Sequence, residues 1–172
     1  MEKGICMKKL LIVVLLGLLC ALPLSSKAYL SVNDLDPQKL SSTKTFDDVS
    51  ICATSEKGVS IDLIDVARTA KDGEIFNSRI KLGGTGSTAY RSLKFTAKKG
   101  EKLTIYLNSS SKTDARTLAI AKQDGTEVAT IVADPDTGTV AGMGAYVFIE
   151  DGVYYVYSKN SGIYIYEIVV EK

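Results

Sequence analysis

Nine side chains in this chain have the chemistry to meet an acidic, hydroxyl-rich ligand: Arg79, Lys81, Arg91, Arg116, Tyr157, Ser158, Lys159, Asn160 and Tyr164. A guanidinium pairs with a carboxylate through two parallel hydrogen bonds. Ser158 and Asn160 can bond hydroxyl groups, and Tyr157 or Tyr164 can cover an apolar ring face. The cations flank two segments. In FNSRIKLGGTGSTAYRSLKF, Arg79, Lys81, Arg91 and Lys94 surround a glycine-rich bend. In VYYVYSKNSGIYIYEIVV, two Tyr-rich runs are joined by the polar turn Ser158-Lys159-Asn160-Ser161-Gly162. Spacing alone does not bring these residues together. Each cation has the alternative reading of a solvated strand residue, and each Tyr that of ordinary cross-strand packing.

Other chemistries are poorly served. The chain has no His, which removes Ser-His-Asp and Cys-His arrangements and His-based zinc sites. Acid pairs for glycoside hydrolysis would come from Asp47, Asp48, Asp62, Asp65, Asp134, Asp136, Glu150 and Asp151. Most fall at expected turns or strand ends, where Asp bonds local backbone. No catalytic residue and no cofactor is therefore assigned. Gly83-Gly84-Thr85-Gly86 lacks the Gly-Lys-Ser/Thr ending of a phosphate loop and reads as a bend under a closely crossing strand. Asp134-Pro135-Asp136-Thr137-Gly138 looks like part of a calcium loop. Ala145 stands where a closing Glu belongs, which excludes an EF-hand and leaves a loose structural calcium site open.

The N-terminus reads as an export signal. Lys3, Lys8 and Lys9 precede the apolar run Leu10 to Leu22, and Ser26-Lys27-Ala28 supplies small residues at the cleavage positions. Residues 1–28 are expected to be a signal peptide cut after Ala28, leaving one domain at 29–172 that is secreted, periplasmic or at the cell surface. No stable membrane insertion is expected after cleavage. The remaining chain would hold 17 Lys+Arg against 19 Asp+Glu, a net charge of −2. Such near-neutrality argues against a nucleic-acid partner. Cys6 and Cys20 leave with the leader, so Cys52 is alone, forms no intrachain disulfide and reads as a buried small hydrophobe.

Beyond Tyr29 the hydrophobic pattern has period two. Val59, Ile61 and Leu63 alternate with Ser60, Asp62 and Ile64, and Leu103, Ile105 and Leu107 with Lys102, Thr104 and Tyr106. Similar alternation covers the segments around Ile51, Leu93, Leu118, Val128 to Val132, Tyr146, Val153 to Ser158 and Ile163 to Tyr166. Asp124-Gly125 and Asp151-Gly152 read as hairpin turns, and Lys99-Gly100 as a further turn. Roughly ten strands at this spacing predict an all-β antiparallel β-sandwich or jelly roll. Val32 to Leu35 and Ile64 to Ala70 are the places where a single helical turn is expected.

The motifs resemble those of the non-catalytic β-sandwich modules attached to secreted bacterial pectate lyases. The residues that carry the resemblance are Arg79 to Ser87, Arg91-Ser92-Leu93-Lys94-Phe95, Thr113 to Leu118 and Tyr157 to Tyr166. Ala115, between Asp114 and Arg116, departs from the pattern. The resemblance implies a secreted carbohydrate-binding module without catalysis, for an acidic plant polysaccharide such as pectin. The polysaccharide would be its partner, alongside separately encoded degrading enzymes. A structural or adhesive surface protein without glycan affinity is one alternative, and a small enzyme of unfamiliar type is another.

Overall fold

The computed structural model describes residues 28–172. It is built from thirteen strands and one 3-10 turn, Val32–Asp34. The strands are β1 Ala28–Ser31, β2 Gln38–Leu40, β3 Lys44–Phe46, β4 Val49–Cys52, β5 Val59–Ala70, β6 Ile75–Leu82 and β7 Ser92–Ala97. They continue as β8 Lys102–Ser109, β9 Arg116–Lys122, β10 Glu127–Ala133, β11 Val140–Val147, β12 Gly152–Ser158 and β13 Ile163–Glu171. The expected leader lies outside the described residues except for Ala28, which opens β1 opposite Val170.

Two sheets form a sandwich. The six-stranded sheet runs β10-β9-β12-β7-β4-β3, and the seven-stranded sheet runs β1-β13-β6-β5-β11-β8 with β2 on β5. Alternation sets the faces. Leu93, Phe95, Leu118, Ile120, Tyr154 and Val156 point inward from one sheet. Ile61, Ile80, Leu82, Leu103, Ile105, Ile163, Ile165 and Ile168 meet them from the other, all at most 2% exposed. At roughly 1.5–3 kcal/mol per buried large apolar side chain, this core is the main source of stability. Cys52 is free and buried, as its apolar neighbours implied.

The seven-stranded sheet is not a simple open layer. β13 bonds β6 on one side and β8 on the other, while β11 bridges β5 and β8. β13, β6, β5, β11 and β8 therefore close into a ring of bonded strands. Aromatic rings fill it. Phe76, fully buried, stacks on Tyr166 at 5.4 Å and tilts against Tyr106 at 5.3 Å. The closure depends on the β5–β6 hairpin, whose register shifts between Leu63 and Arg68. Such a bulge bends a strand and strengthens its twist.

The structure corrects three expectations. Ile64 to Ala70 is not a helical turn but the bulged half of β5; the broken alternation there reflects the register shift. Asp151-Gly152 is not a hairpin, because β11 and β12 lie in opposite sheets and the connection crosses between them. Asp151 instead accepts the Lys99 backbone N–H at 2.8 Å, tying that crossing to the β7–β8 turn. The strand count rises to thirteen because β1, β2 and β3, of three or four residues each, are too short for a periodicity signal. Asp124-Gly125 does turn the β9–β10 hairpin: Gly125 has φ 87°, and Asp124 accepts the Thr126 N–H at 2.9 Å.

Candidate functional site

The nine expected contact residues fall into two groups on opposite sheets. Arg79 and Lys81 lie on β6 with side chains directed away from the core, since Ser78, Ile80 and Leu82 occupy its inner face. Tyr164 on β13 is the cross-strand partner of Lys81. The Arg79 guanidinium lies over the Tyr164 ring, 4.0 Å from its centroid, a cation–π contact. Tyr164 is thereby 9% exposed and Tyr166 fully buried, so neither is an open aromatic platform. Lys81 reaches an adjoining cavity of about 220 Å³ shared with Lys39, Leu40 and Gly83.

The second group gathers at one end of the six-stranded sheet. Gly86 donates to the Ser158 carbonyl at 2.9 Å. A Cβ at Gly86 would lie 2.4 Å from the Arg91 carbonyl oxygen and 2.9 Å from Tyr157 Cβ, so only glycine fits where this loop crosses β12. That is the close crossing expected of the glycine-rich bend. Arg91 is left-handed, φ 49°, an uncommon backbone for a residue with a side chain. Much of the polar turn is spent internally. The buried Ser158 hydroxyl donates to the Ser161 carbonyl. Asn160 accepts the Thr117 N–H at 3.2 Å, and Lys159 pairs with Glu127 at 2.6 Å. Arg116, the first residue of β9, is half-buried opposite Ala133. Arg91, Tyr157 and Arg116 are the members of this group not tied down by a hydrogen bond or ion pair among the described residues.

The outward side of β5 and β6 opens on a cleft of about 240 Å³ lined by Leu63, Ile64, Asp65, Val66, Arg68, Arg79, Lys112, Asp136 and Gly138. It sits where the β8–β9 and β10–β11 connections pass over the ring. Its floor is a buried ion pair. Arg68 Nε and Nη2 donate to the two Asp136 oxygens at 2.7 and 2.8 Å, and Gly138 N–H adds a bond at 3.1 Å. Burial works to raise the Asp136 carboxyl, but these bonds and the nearby Arg79 charge outweigh it and hold it below the usual value. Asp136 is thus committed to Arg68. Among the described residues no group of three His, Cys, Asp or Glu side chains is placed to hold a metal ion.

Three of the other acids considered for catalysis are engaged. Glu150 pairs with Lys122 at 2.5 Å, Asp62 accepts from Ser60 at 3.1 Å, and Asp151 holds the Lys99 N–H. Sequence reasoning missed Arg68, Lys112 and Tyr166 as neighbours of Arg79. Arg68 lay in the segment read as a helical turn, and Lys112 in a loop whose position no local pattern reveals. For Arg68 the usable signal was the break in alternation after Leu63.

The bacterial pre-peptidase C-terminal domain family matches residues 89–157, from the loop before β7 into β12. No curated protein matches the chain. Similar solved structures include carbohydrate-binding modules. One is the C-terminal module of a laminarinase from Zobellia galactanivorans, 12% identical, TM-score 0.44, over 86% of this chain and 100% of that one. Another is a module from Cellvibrio mixtus lichenase 5A in complex with cellotriose, 13% identical, TM-score 0.43, over 84% of this chain and 96% of that one. A third is a module from Clostridium stercorarium in complex with cellobiose, 10% identical, TM-score 0.42, over 84% and 93% of the two chains.

Proposed function

We propose that this protein is an exported, non-catalytic polysaccharide-binding module whose ligand is an acidic plant polysaccharide such as pectin. The observation that carries the reading is Arg79. Its guanidinium lies over the Tyr164 ring at the rim of a cleft, and no carboxylate among the described residues pairs with it. A fixed cation beside apolar surface suits a ligand with both carboxylates and ring faces. The commitment of Asp62, Asp136, Glu150 and Asp151 to hydrogen bonds and ion pairs leaves fewer free acids for hydrolysis and favours binding. The resemblance to the modules of pectate lyases points the same way, and suggests a role concentrating polymer near enzymes made separately.

The test is a glycan array on the purified protein, followed by calorimetry on the hits. Binding to at least one plant polysaccharide is the expected result. Silence across acidic and neutral polysaccharides would instead favour the scaffold alternative.

A further inference from the structure

The cleft beside Arg79 has more cationic capacity than its own acids use. Its walls carry Arg68, Arg79 and Lys112 against Asp65 and Asp136. Arg68 and Asp136 cancel one another in a two-bond ion pair. Asp62, opposite Arg79 across the β5–β6 pairing, takes its hydrogen bond from Ser60 and makes no ion pair with Arg79. Arg79 Nε is shut off from solvent without an acceptor, so contact with a ligand falls to the terminal amino groups. Lys112 has no ion-pair partner among the described residues.

The position of Lys112 is built rather than incidental. The Ser111 carbonyl accepts the Asp136 N–H at 2.9 Å, joining the Lys112 loop to the cleft floor. The Ser111 hydroxyl oxygen caps the N–H groups of Thr113 and Asp114 at 3.2 and 3.0 Å, shaping the loop itself. Behind the cleft the Tyr166 hydroxyl is fully buried beside Arg68, Asp136 and Arg79. Leu63 and Val66, which also line the cleft, are 67% and 54% exposed and put apolar surface beside the charges.

We propose that this cleft takes the carboxylate of one uronate residue, gripped between Arg79 and Lys112, with the sugar's C–H face against Leu63 and Val66. This rests on the glycan-binding reading and adds to it the site and the group recognised. An inorganic anion would leave the apolar surface unused, and a neutral sugar would leave the net positive charge of Arg79 and Lys112 against Asp65 unanswered. The volume, about 240 Å³, is below the roughly 300–1,000 Å³ typical of pockets for larger ligands. One sugar ring is therefore held and the rest of the polymer runs outside. Arg68 and Asp136 serve as positioning residues that keep the floor neutral toward the carboxylate.

The experiment is titration calorimetry of the purified protein with polygalacturonate, its methyl ester and neutral galactan. It compares wild type with Arg79→Gln, Lys112→Gln, Arg91→Ala and Arg116→Ala, each first shown to keep the wild-type melting temperature. Lys112 is exposed, so its variant stays informative if Arg79→Gln is destabilised. The expected result is binding to polygalacturonate that weakens about tenfold or more in Arg79→Gln and Lys112→Gln, since each loses a charge-assisted bond. The ester should bind comparably poorly, and added salt should weaken the wild type. Binding to neutral galactan as strong as to polygalacturonate, or unchanged in Lys112→Gln, overturns the carboxylate site and leaves a glycan-binding module. So does a loss confined to Arg91→Ala or Arg116→Ala. No binding to any of the three polymers removes this inference, and with a silent glycan array removes the binding reading as well.

Discussion

Arg68 and Asp136 form the pair whose disruption should be most costly. Their side chains are each 9% exposed, and two bonds at 2.7 and 2.8 Å join them. Truncating one partner strands the other charge in a low-dielectric site, a loss of about 3–5 kcal/mol. For a domain of this size each kcal/mol moves the melting temperature by roughly 2–4 °C, so Asp136→Ala or Arg68→Ala should lower it by about 6–20 °C. Replacing both, as Arg68→Met with Asp136→Leu, removes the desolvation cost together with the attraction. That double variant should lie within about 2 kcal/mol of wild type. Urea unfolding followed by circular dichroism measures all of these in one double-mutant cycle. The pH dependence adds a second readout. Because Asp136 titrates below its usual value of 3.8 when folded, its contribution is complete at neutral pH. It is lost as pH falls below about 3.8 toward the depressed folded value. The double variant should lack that part of the acid slope. A loss under about 1 kcal/mol for Asp136→Ala, or strictly additive effects in the double variant, would refute the buried-pair reasoning.

Glu167 should show the opposite sign. Burial raises its carboxyl above the usual 4.5, despite bonds from Ser31 and Tyr29. The folded state then holds the proton more tightly, and stability falls as pH rises from about 4.5 through the raised value. Glu167→Gln should flatten that decline in a series of melting curves; an unchanged slope would show that Glu167 is not its source. Gly86→Ala should cost on the order of 1–3 kcal/mol, because its methyl would press on the Arg91 carbonyl and Tyr157. Gly83→Ala, with nothing within 4 Å of the new methyl, is the control, and equal melting temperatures for the two variants would contradict the close crossing. Mass spectrometry of exported protein should find Tyr29 first; an intact leader or a lipid on Cys20 would place the protein on a membrane.

The period-two pattern determined the β class, most strand positions and the inward and outward faces. Tyr154 turned inward and Tyr155 and Tyr157 outward as the alternation required, since side-chain direction in a strand follows from local backbone geometry alone. Asp124-Gly125 was equally legible, because a turn residue acts within its own few bonds. Tertiary structure decided what local rules cannot reach. Asp151-Gly152 carries a hairpin signal, yet its flanking strands belong to different sheets. The bulge in β5 closes a ring, a result of pairing between strands distant in sequence. Proximity was the other undetermined quantity. Arg79, Arg91 and Arg116 look alike as residues, but only Arg79 lines the cleft with Arg68, Lys112 and Asp136. Those four come from β6, β5 and two loops, up to 68 residues apart along the chain. A residue's type states which bond it can make; the strand pairings set which partners lie within reach.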